Sequence, residues 1–413
     1  MTANKFIQRF LRLKGLFVYS FHFRIRDKTL DLYVKPYKNG RLCPVCNRRC
    51  KIVWVLKERS WRDIVVCKWT VYFRYSPREI ICPTHGRKQE IIPWADAHSR
   101  ITYRLEYLML VYCQIMTQKA AAMLLGFSTS TLSNHLHRSI TRIRAGHRIR
   151  GLRSIGIDEI SYKKGKKYAT LVYDLERSRV VWVGKGKGRE TIDIFFNETL
   201  SEHQKKAIKS ASCDMSAAYI GAIEHHCTNA VLVLDRFHIV KALNKAVDDV
   251  RKEQWREASD CNRKMLKGLR WLLYKHSSNR SKSDSRVLNA LQKGNRRIHR
   301  AWVLKDEFEQ FWDYQYPKSA KRFLEGWMTT ALKSRLEPIR EFVKTLRKHS
   351  HRIITFIGTR LTNAIAEGLN RIVKIVKNRA SGFRTFEAFT DLIYLTVGDV
   401  DIPAQISSDF RTI

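Results

Sequence analysis

The sequence predicts a multidomain α+β protein, and three features of the 413-residue chain indicate that class. Two short cysteine-containing motifs lie near the N-terminus, apolar and alternating strand-like runs fill the centre, and a long region of helical spacing follows. Hydrophobic residues make up 44% of the chain. This length and composition suffice for roughly two to four domains with ordinary cores.

The charge of the chain indicates its partner. Lysine and arginine number 78 against 38 acidic residues, which gives a formal net charge of +40, and the excess runs through the whole length. Such a field favours a polyanion, usually nucleic acid. No apolar run approaches the roughly 20 residues that span a bilayer, and the first residues lack the features of a secretory signal. We therefore expect a cytoplasmic protein without a membrane partner.

The first predicted domain, residues 1–92, carries a zinc ribbon. "RLCPVCNRRC" supplies Cys43 and Cys46, and "IICPTHG" supplies Cys82 and His85 at the same spacing. Two such knuckles can hold one Zn²⁺ ion tetrahedrally, and a site with four protein ligands is structural. The alternating run "VVCKWTVYFRY" between the knuckles predicts a strand of the ribbon.

Two further thiols leave the ligand set open. Cys50 and Cys67 lie between the knuckles, and either could replace a predicted ligand. The alternative to zinc is a group of buried cysteines without metal. The nine cysteines of the chain have scattered spacings that do not suit a disulfide framework, so matched knuckles in a reducing compartment favour the metal.

Residues 93–150 are predicted to form a helix-turn-helix domain. In "QKAAAMLLGFSTSTLSNHLHRSI", small Ala122, turn-forming Gly126 and apolar Leu132 have the packing pattern of that motif. A plain helical hairpin has the same pattern, but the basic run "HRSITRIRAGHRIR" behind it favours DNA binding. The second helix would present short polar side chains to the major groove, namely Ser128, Thr129, Ser130, Thr131, Ser133, Asn134 and His135.

Residues 151–240 change to a pattern of strands. "RSIGIDEISY", "YATLVYDLE" and "RVVWVGKG" predict a three-stranded meander. A helix in "GRETIDIFFNETL", a strand in "AIKSASCD", a helix in "MSAAYIGAIEHH" and a strand in "NAVLVLD" follow. This order is that of a ribonuclease-H-like α/β domain.

Two aspartates of this domain predict a cation site. Asp158 lies in the first strand and Asp214 ends the fourth, and these strands are neighbours in that topology. Adjacent carboxylates repel each other, so a divalent cation such as Mg²⁺ or Mn²⁺ is a reason for their proximity. Each could instead be a turn-forming residue at a strand end. Asp174 and Asp235 also end strands and compete, although the strand of Asp174 runs antiparallel and points its end away.

Residues 241–354 predict an all-helical insertion. Five tryptophans lie at helical spacing, and most should be core residues, although a base-stacking role for one of them stays open. They are Trp255, Trp271, Trp302, Trp312 and Trp327. The polar stretch "HSSNRSKSDS", residues 276–285, predicts an exposed loop.

The last segment, residues 355–413, is predicted to return to the central sheet. A helix beginning near Thr362 would place an apolar stripe on the sheet, formed by Ile365, Leu369, Ile372, Val373 and Val376. Glu367 would then lie on the polar side of this helix with Asn370, Arg371 and Lys374. Taken alone, Glu367 could simply pair with Arg371 one turn away.

Several motifs together resemble the ISL3 family of bacterial insertion-sequence transposases. They are "CPVC", "HSRITYRLE", "GIDEIS", "CDMSAAYIGAI", "NAVLVLDRFHIVKALNKAVD" and "NAIAEGLNRIVKIVKNRASGFRTFEAF". The resemblance implies a DDE transposase whose catalytic residues are Asp158, Asp214 and Glu367. "DRFH", with Asp235 and His238, is similar to a supporting motif of several transposase superfamilies, or is simply a strand-end aspartate followed by a helical histidine.

The resemblance also implies cofactors and partners. The three carboxylates would hold two Mg²⁺ ions, with Mn²⁺ as an alternative, and zinc would be structural even though His85 stands where the family often has cysteine. The enzyme would bind the terminal inverted repeats of an insertion sequence, cleave double-stranded DNA and transfer the strand to target DNA. It would act as a homodimer or higher oligomer in the bacterial cytoplasm, associated with the nucleoid. The basic residues expected on DNA phosphates are Arg371, Lys374, Lys377 and Arg379.

Two other functions remain compatible with the sequence. A catalytically inactive or domesticated transposase would use the same DNA-binding domains as a regulator. A structure-selective nuclease on the same fold would cut DNA without recognising a specific end sequence.

Overall fold

The computed structural model describes most of the chain: residues 2–13, 15–36, 41–146, 148–163, 165, 167–359, 364–380, 382–398 and 400. The chain forms two compact units. The first comprises residues 1–147 together with 375–413, and the second comprises residues 148–374. The predicted last segment, 355–413, is thereby divided between the two units.

The N-terminal part of the first unit has one helix and two antiparallel-rich sheets. The helix is α1 (Ala3–Phe10). The larger sheet has the order β1-β2-β5-β4, with β1 (Leu16–Arg24), β2 (Thr29–Pro36), β4 (Arg59–Val66) and β5 (Trp69–Tyr75). The smaller sheet has the order β3-β6-β7, with β3 (Lys51–Val55), β6 (Arg78–Cys82) and β7 (Gly86–Gln89).

The prediction of a single ribbon strand in "VVCKWTVYFRY" is wrong, because this segment is a hairpin. Val66 pairs with Trp69, so the turn has two residues, Cys67 and Lys68. Both have positive φ angles, 49° and 68°, as a type I′ turn requires. The hairpin belongs to the larger sheet, and the strands beside the cysteine knuckles are β3, β6 and β7.

The helix-turn-helix follows in the first unit. Gly126 ends the first helix of the motif with a left-handed φ of 64°, and the Ser128 hydroxyl accepts a hydrogen bond from the Thr131 N–H at 3.1 Å to cap the second. Ala122 and Leu132 are buried, as the packing pattern predicts. The three helices are α2 (Tyr103–Ile115), α3 (Gln118–Leu125) and α4 (Thr129–Ala145).

The second unit is built on a five-stranded sheet of order β10-β9-β8-β11-β12. The first three strands form the predicted meander, and β11 pairs in parallel with both β8 and β12. The strands are β8 (Ser154–Lys163), β9 (Lys167–Asp174), β10 (Arg179–Lys185), β11 (Ser210–Cys213) and β12 (Val231–Leu234).

Three helices connect these strands: α5 (Arg189–Ile194), which continues as a π-helical turn over Phe195–Thr199, α6 (Glu202–Ala207) and α7 (Ala217–His226). The helix α6 is additional to the predicted order. It begins with a capping box between Ser201 and Gln204.

The insertion of the second unit is helical, as predicted. Trp302, Trp312 and Trp327 are buried in its core, whereas Trp255 and Trp271 are 38% and 69% exposed. The predicted loop 276–285 is only partly a loop, because a capping box between Ser281 and Asp284 starts a helix inside it. The helices are α8 (Arg236–Glu257), α9 (Asp260–Tyr274), α10 (Lys282–Gly294), α11 (Arg296–Glu309), α12 (Pro317–Lys333), α13 (Glu337–Lys348) and α14 (Ser350–Thr359).

Two helices complete the described chain, α15 (Ala364–Arg379) and α16 (Phe386–Val397). The predicted start of α15 near Thr362 lies outside the described residues. The predicted apolar stripe is partly wrong, because Ile365 and Ile372 are each 38% exposed. The buried face is rotated and consists of Ala366, Leu369, Asn370, Val373 and Val376.

Within the first unit, α16 packs on the helix-turn-helix. The Gln114 side chain at the end of α2 donates a hydrogen bond to the Leu395 carbonyl at 2.8 Å. The Arg144 guanidinium of α4 lies 3.2 Å from the centroid of the Tyr394 ring. None of the helices in the described ranges is long and apolar enough to cross a membrane.

Candidate active site

Three aspartates lie at the same edge of the sheet in the second unit. The residue before Asp214 on β11 is in parallel register with the residue before Asp158 on β8 and with the residue before Asp235 on β12. Asp158 is inside its strand, while the other two follow directly after theirs. The strand register therefore aligns one carboxylate from each of three adjacent strands.

The neighbouring carboxylates at this edge of the sheet affect the pKa of Asp158. Burial raises the pKa of Asp158, and the neighbouring Asp214 and Asp235 raise it further, although the Glu159 N–H and His238 oppose them. Backbone groups hold individual oxygens: Asp158 Oδ1 accepts from the Glu159 N–H at 2.7 Å, and Asp214 Oδ1 accepts from the Ser216 N–H at 2.9 Å. The remaining oxygen lone pairs are suited to a cation.

The aspartates at this edge also affect the pKa of Glu367 on α15. Its pKa is raised by burial first, then by Asp235, and also by Asp158. The pair with Arg371 one turn away does not form: among the described residues, no cation lies within ion-pair distance of Glu367. Glu367 is therefore only partly buried: burial affects its carboxyl group, while the residue as a whole is exposed.

The three predicted ligands are near one another electrostatically but do not form a tight cluster. Within the described ranges, a single group of three or more acidic, histidine or cysteine side chains has all its ligand atoms within 4.8 Å, and it is the cysteine–histidine group. Asp158, Asp214 and Glu367 are thus more widely spaced than the ligands of one bound ion.

The sequence pattern does not predict a further side chain that lies at this edge. Asn370, predicted on the polar side of α15, is buried, and its Nδ2 donates a hydrogen bond to Asp158 Oδ2. Its Oδ1 accepts a hydrogen bond from the Tyr173 hydroxyl of β9. The signal in the sequence is a polar residue four positions after Ala366 and three before Val373, inside an apolar stripe.

Asp235 and His238 form a pair at the start of α8. The buried Asp235 carboxylate caps the helix by accepting from the Phe237 N–H at 2.9 Å, and it lies 3.2 Å from His238 Nδ1. This close contact with Asp235 is the main reason why the pKa of His238 is raised. The pair thus places a protonatable imidazole beside Asp158.

Asp174, the other competing aspartate, has a turn role. Its Oδ1 accepts from the N–H groups of Glu176 and Arg177, both at 3.1 Å, and its Oδ2 lies 2.9 Å from Arg177 Nη1. All these partners belong to the turn between β9 and β10. A turn-forming role therefore accounts for the position of Asp174 at the end of its strand.

The four predicted zinc ligands come together in the first unit. The Cys43 and Cys82 sulfurs lie 3.8 and 3.6 Å from His85 Nδ1, and the Cys46 and Cys82 sulfurs are 3.7 Å apart. Tetrahedral zinc with Zn–S bonds of about 2.3 Å separates its sulfurs by about 3.8 Å. These spacings fit one Zn²⁺ ion.

The spare thiols lie outside this group of four. The Cys50 sulfur is buried next to it but lies 3.3 Å from the Arg48 carbonyl, to which it donates. Cys67 is exposed in the turn of the β4–β5 hairpin, in the other sheet. Neither thiol replaces a predicted ligand in the structure.

The predicted DNA-reading residues of α4 differ in exposure. Ser128, Thr129, Ser130, Thr131 and Asn134 are exposed, whereas Ser133 and His135 are half-buried. The His135 ring lies 5.7 Å from the Phe127 ring, and burial lowers its pKa. His135 is therefore mainly a packing residue of the motif.

The basic residues predicted on DNA also differ. Arg371 and Lys374 are exposed, and Lys377 is half-buried. The Arg379 guanidinium donates to the backbone carbonyls of Gln114 at 2.8 Å and Cys113 at 3.2 Å, within the first unit. Arg379 thus satisfies carbonyls at the end of α2.

A helix-turn-helix together with a sheet edge of aligned carboxylates is typical of an enzyme that acts on DNA. The sequence profile of the transposase of family ISL3 matches residues 155–393. The profile of the helix-turn-helix domain of transposase family ISL3 matches residues 90–140. The chain belongs to the ISL3 family of DDE transposases.

Relatives extend this likeness over most of the chain. The transposase for insertion sequence element IS1001 of Bordetella parapertussis is 31% identical over 88% of this chain and 90% of its own length. The transposase for IS1557 of Mycobacterium tuberculosis is 26% identical over 86% of each chain. Among solved structures, a chain of the Drosophila P element transposase strand transfer complex has 8% identity and a TM-score of 0.38 over 72% of this chain and 92% of its own, which is a remote likeness.

Proposed function

We propose that this transposase cuts and joins DNA at an active site formed by Asp158, Asp214 and Glu367. The observation that carries the proposal is the parallel register that aligns Asp158 and Asp214 on adjacent strands. The raised pKa of Glu367, to which Asp235 and Asp158 contribute, supports its membership of the same site. The family membership of the chain supports the reaction class.

We also propose that the sheet of the second unit is a ribonuclease-H-like core. Its order, β10-β9-β8-β11-β12, with an antiparallel meander followed by two parallel strands, supports this assignment. The helical insertion then separates Asp214 from Glu367 in sequence, and α15 would return the glutamate towards the sheet edge.

The donor set at this edge fits a hard divalent cation. Asp158, Asp214 and Glu367 offer carboxylate oxygens, which Mg²⁺ and Mn²⁺ prefer. Burial first, and then repulsion from Asp214 and Asp235, raise the pKa of Asp158, and a bound cation would relieve that repulsion. Two bound Mg²⁺ ions would activate the attacking water or 3′-hydroxyl and stabilise the leaving oxygen. Because Asp158, Asp214 and Glu367 do not form one tight group of ligand atoms among the described residues, we propose that binding of DNA and cations draws the three carboxylates together.

The chain's own residues would orient this site. Asn370 and the Glu159 N–H each hold one oxygen of Asp158, and the Ser216 N–H holds Asp214. His238, held by Asp235, would lie near the scissile phosphate. Arg371 and Lys374 on the exposed face of α15 would bind phosphates beside Glu367.

We propose a structural Zn²⁺ ion at Cys43, Cys46, Cys82 and His85. A hydrogen bond from the Thr84 N–H is the main cause that lowers the pKa of the Cys82 thiol to about 5, and this shift favours the thiolate, the form that binds metal. The ion would join the two knuckles. The ribbon and the helix-turn-helix would then recognise the terminal inverted repeats.

The assembly and location of the enzyme follow from its task. Two transposon ends must be joined, so we propose that a dimer or larger oligomer forms on DNA in the bacterial nucleoid. Sedimentation of the protein with one end fragment and with paired ends would measure the stoichiometry. A single protomer holding both ends would contradict this part of the proposal.

A nicking assay on inverted-repeat DNA tests the catalytic proposal. With Mg²⁺, the wild-type protein should nick end fragments, and the Asp214→Ala variant should lose activity by at least about a hundredfold because a ligand of the metals is gone. Glu198→Ala, which removes an exposed carboxylate of the π-helical turn, is the matched control. Full activity of Asp214→Ala would refute the site.

Competitor DNA in the same assay separates the alternatives. Random duplex should compete poorly with end DNA for a transposase, whereas equal competition would indicate a structure-selective nuclease. End binding without nicking in Mg²⁺ or Mn²⁺ would indicate a regulator that has lost catalysis.

A further inference from the structure

A groove of about 790 Å³ in the second unit begins at the candidate active site. Asp214 and His238 line one end of it, and Arg270 and Tyr274 of α9 line the other. Its volume is within the range of roughly 300–1,000 Å³ that holds compact ligands, a size that suits nucleotide units. The groove is therefore a continuation of the site along the insertion.

One face of α8 supplies most of the groove. Side chains of α8 that line the groove recur at steps of three or four residues: Phe237, Lys241, Lys245, Asp248 and Lys252. Such steps keep side chains on one face of a helix, and 15 residues of helix extend about 22 Å. A continuous stripe thus runs from the aspartate edge outward.

The charge of this stripe is positive. Lys241 and Lys245 are exposed, and among the described residues neither has an ion-pair partner. The acid of the stripe, Asp248, is buried and already paired with Arg251 at 2.7 Å and Lys252 at 2.9 Å. The two free ammonium groups are spaced one helical turn apart, which suits successive phosphates of a strand.

Large aromatic side chains are exposed at both ends. Phe237 is 53% exposed, next to the His238 ring at 5.6 Å. Trp271 does not line the groove but lies beside its far end: its ring centroid is 5.9 Å from that of Tyr274 and 5.1 Å from the Arg270 guanidinium, and its side chain is 69% exposed. Exposed aromatics combined with a cationic groove are the features that bind unpaired bases, because each base offers a π-face whatever its sequence.

We propose that this groove binds an unpaired DNA strand that flanks the scissile phosphate. Phe237 stacks on the base nearest the aspartates, Trp271 stacks on a base farther out, and Lys241 and Lys245 bind the phosphates between them. Stacking requires unpaired bases, since base faces are covered inside a duplex. The inference rests on the proposed function, which places the scissile phosphate at Asp158 and Asp214.

Binding measurements on the full chain test the inference without catalysis. Without added divalent cations, the protein is titrated with end fragments that are either blunt or carry a single-stranded flank of about six nucleotides, which spans at least about 20 Å even at the duplex rise of 3.4 Å per nucleotide. A fluorescent adenine analogue in the flank reports stacking. The wild-type protein should bind the flanked fragment more tightly and quench the analogue.

Substitutions of the exposed aromatic and lysine side chains show which of them bind the single-stranded flank. Phe237→Ala or Trp271→Ala should each reduce the advantage of the flanked fragment by about tenfold, while Phe237→Tyr keeps it. The double variant Lys241→Ala/Lys245→Ala should weaken flank binding and lower its salt dependence. Lys318→Ala, an exposed lysine of α12 outside the groove, is the control. All these side chains are exposed, so the fold should survive, as thermal unfolding would verify.

The outcomes separate this inference from the proposed function. Nicking with Mg²⁺ but equal affinity for blunt and flanked fragments would overturn the groove alone. A flank advantage that depends on Phe237 and Trp271, in a protein that never nicks, would support the groove and overturn the catalytic proposal. Competition by an acidic peptide as effective as the single strand would also overturn the assignment to DNA.

Discussion

At the residue scale, the position of Asp158 depends on its hydrogen bonds. One oxygen accepts from the Glu159 N–H, and the other accepts from Asn370, which the Tyr173 hydroxyl orients in turn. This network joins α15 to the sheet close to the aspartates. Because buried polar groups cost stability when unpaired, each member depends on the others.

The variant Asn370→Ala tests this network. It should lower the free energy of unfolding by about 1–3 kcal/mol, because Asp158 and Tyr173 each lose a buried partner. Nicking should fall further than stability explains, since Asp158 is no longer oriented. Chemical denaturation and single-turnover nicking measure the two effects. Asn378→Ala, an exposed asparagine of the same helix, is the control, and equal behaviour of both variants would contradict the network.

The sequence also explains why the prediction that Asn370 lies on the polar face of α15 is wrong. The apolar residues of α15 permit two stripes, one through Ile365 and Ile372 and one through Ala366 and Val373, offset by one residue. One residue rotates a helix face by about 100°. Which stripe meets the sheet depends on tertiary packing, which no local pattern encodes.

At the element scale, the cysteine–histidine group was predictable because its spacing is local. Each knuckle is a short turn whose side chains must converge, and the structure brings all four together. The β4–β5 hairpin was not predicted, because its turn uses Cys67 and Lys68 in place of the asparagine or glycine that usually marks a type I′ turn.

Removal of one knuckle ligand tests the zinc proposal. Cys82→Ala should abolish the bound zinc and unfold the small sheet β3-β6-β7, because metal binding and folding are coupled in such sites. Elemental analysis of the purified protein should find one zinc per chain in the wild type. Cys67→Ala, the exposed thiol, should retain it. Full zinc content in Cys82→Ala would show that Cys50 or another ligand takes its place.

The helix-turn-helix also permits a test at the scale of one element. Asn134 is exposed on α4, and Asn134→Ala should weaken binding to end DNA by about tenfold if it contacts a base edge, with little change for random DNA. Competition binding with both DNAs measures the difference. His135→Ala is the comparison: it should lower thermal stability through lost contact with Phe127 and change specificity little. An unchanged preference in Asn134→Ala would exclude it from readout.

At the scale of the whole molecule, the topology was predictable and the ligand geometry was not. The meander and the alternating strands and helices after it follow from hydrophobic periods, so the aligned aspartates could be anticipated. The placement of Glu367 relative to these aspartates could not be anticipated, since α15 follows the seven helices of the insertion. The net charge of +40 indicates a DNA partner but locates no site.

The central claim is that Asp158, Asp214 and Glu367 bind the catalytic cations together. Binding of Mn²⁺ to the complex of protein and end DNA, followed by electron paramagnetic resonance, tests this most directly. The wild-type complex should bind two Mn²⁺ ions per active site, and Asp158→Asn, Asp214→Asn and Glu367→Gln should each lose at least one, while Glu198→Gln loses none. Unchanged Mn²⁺ binding in the Glu367→Gln complex would contradict the account.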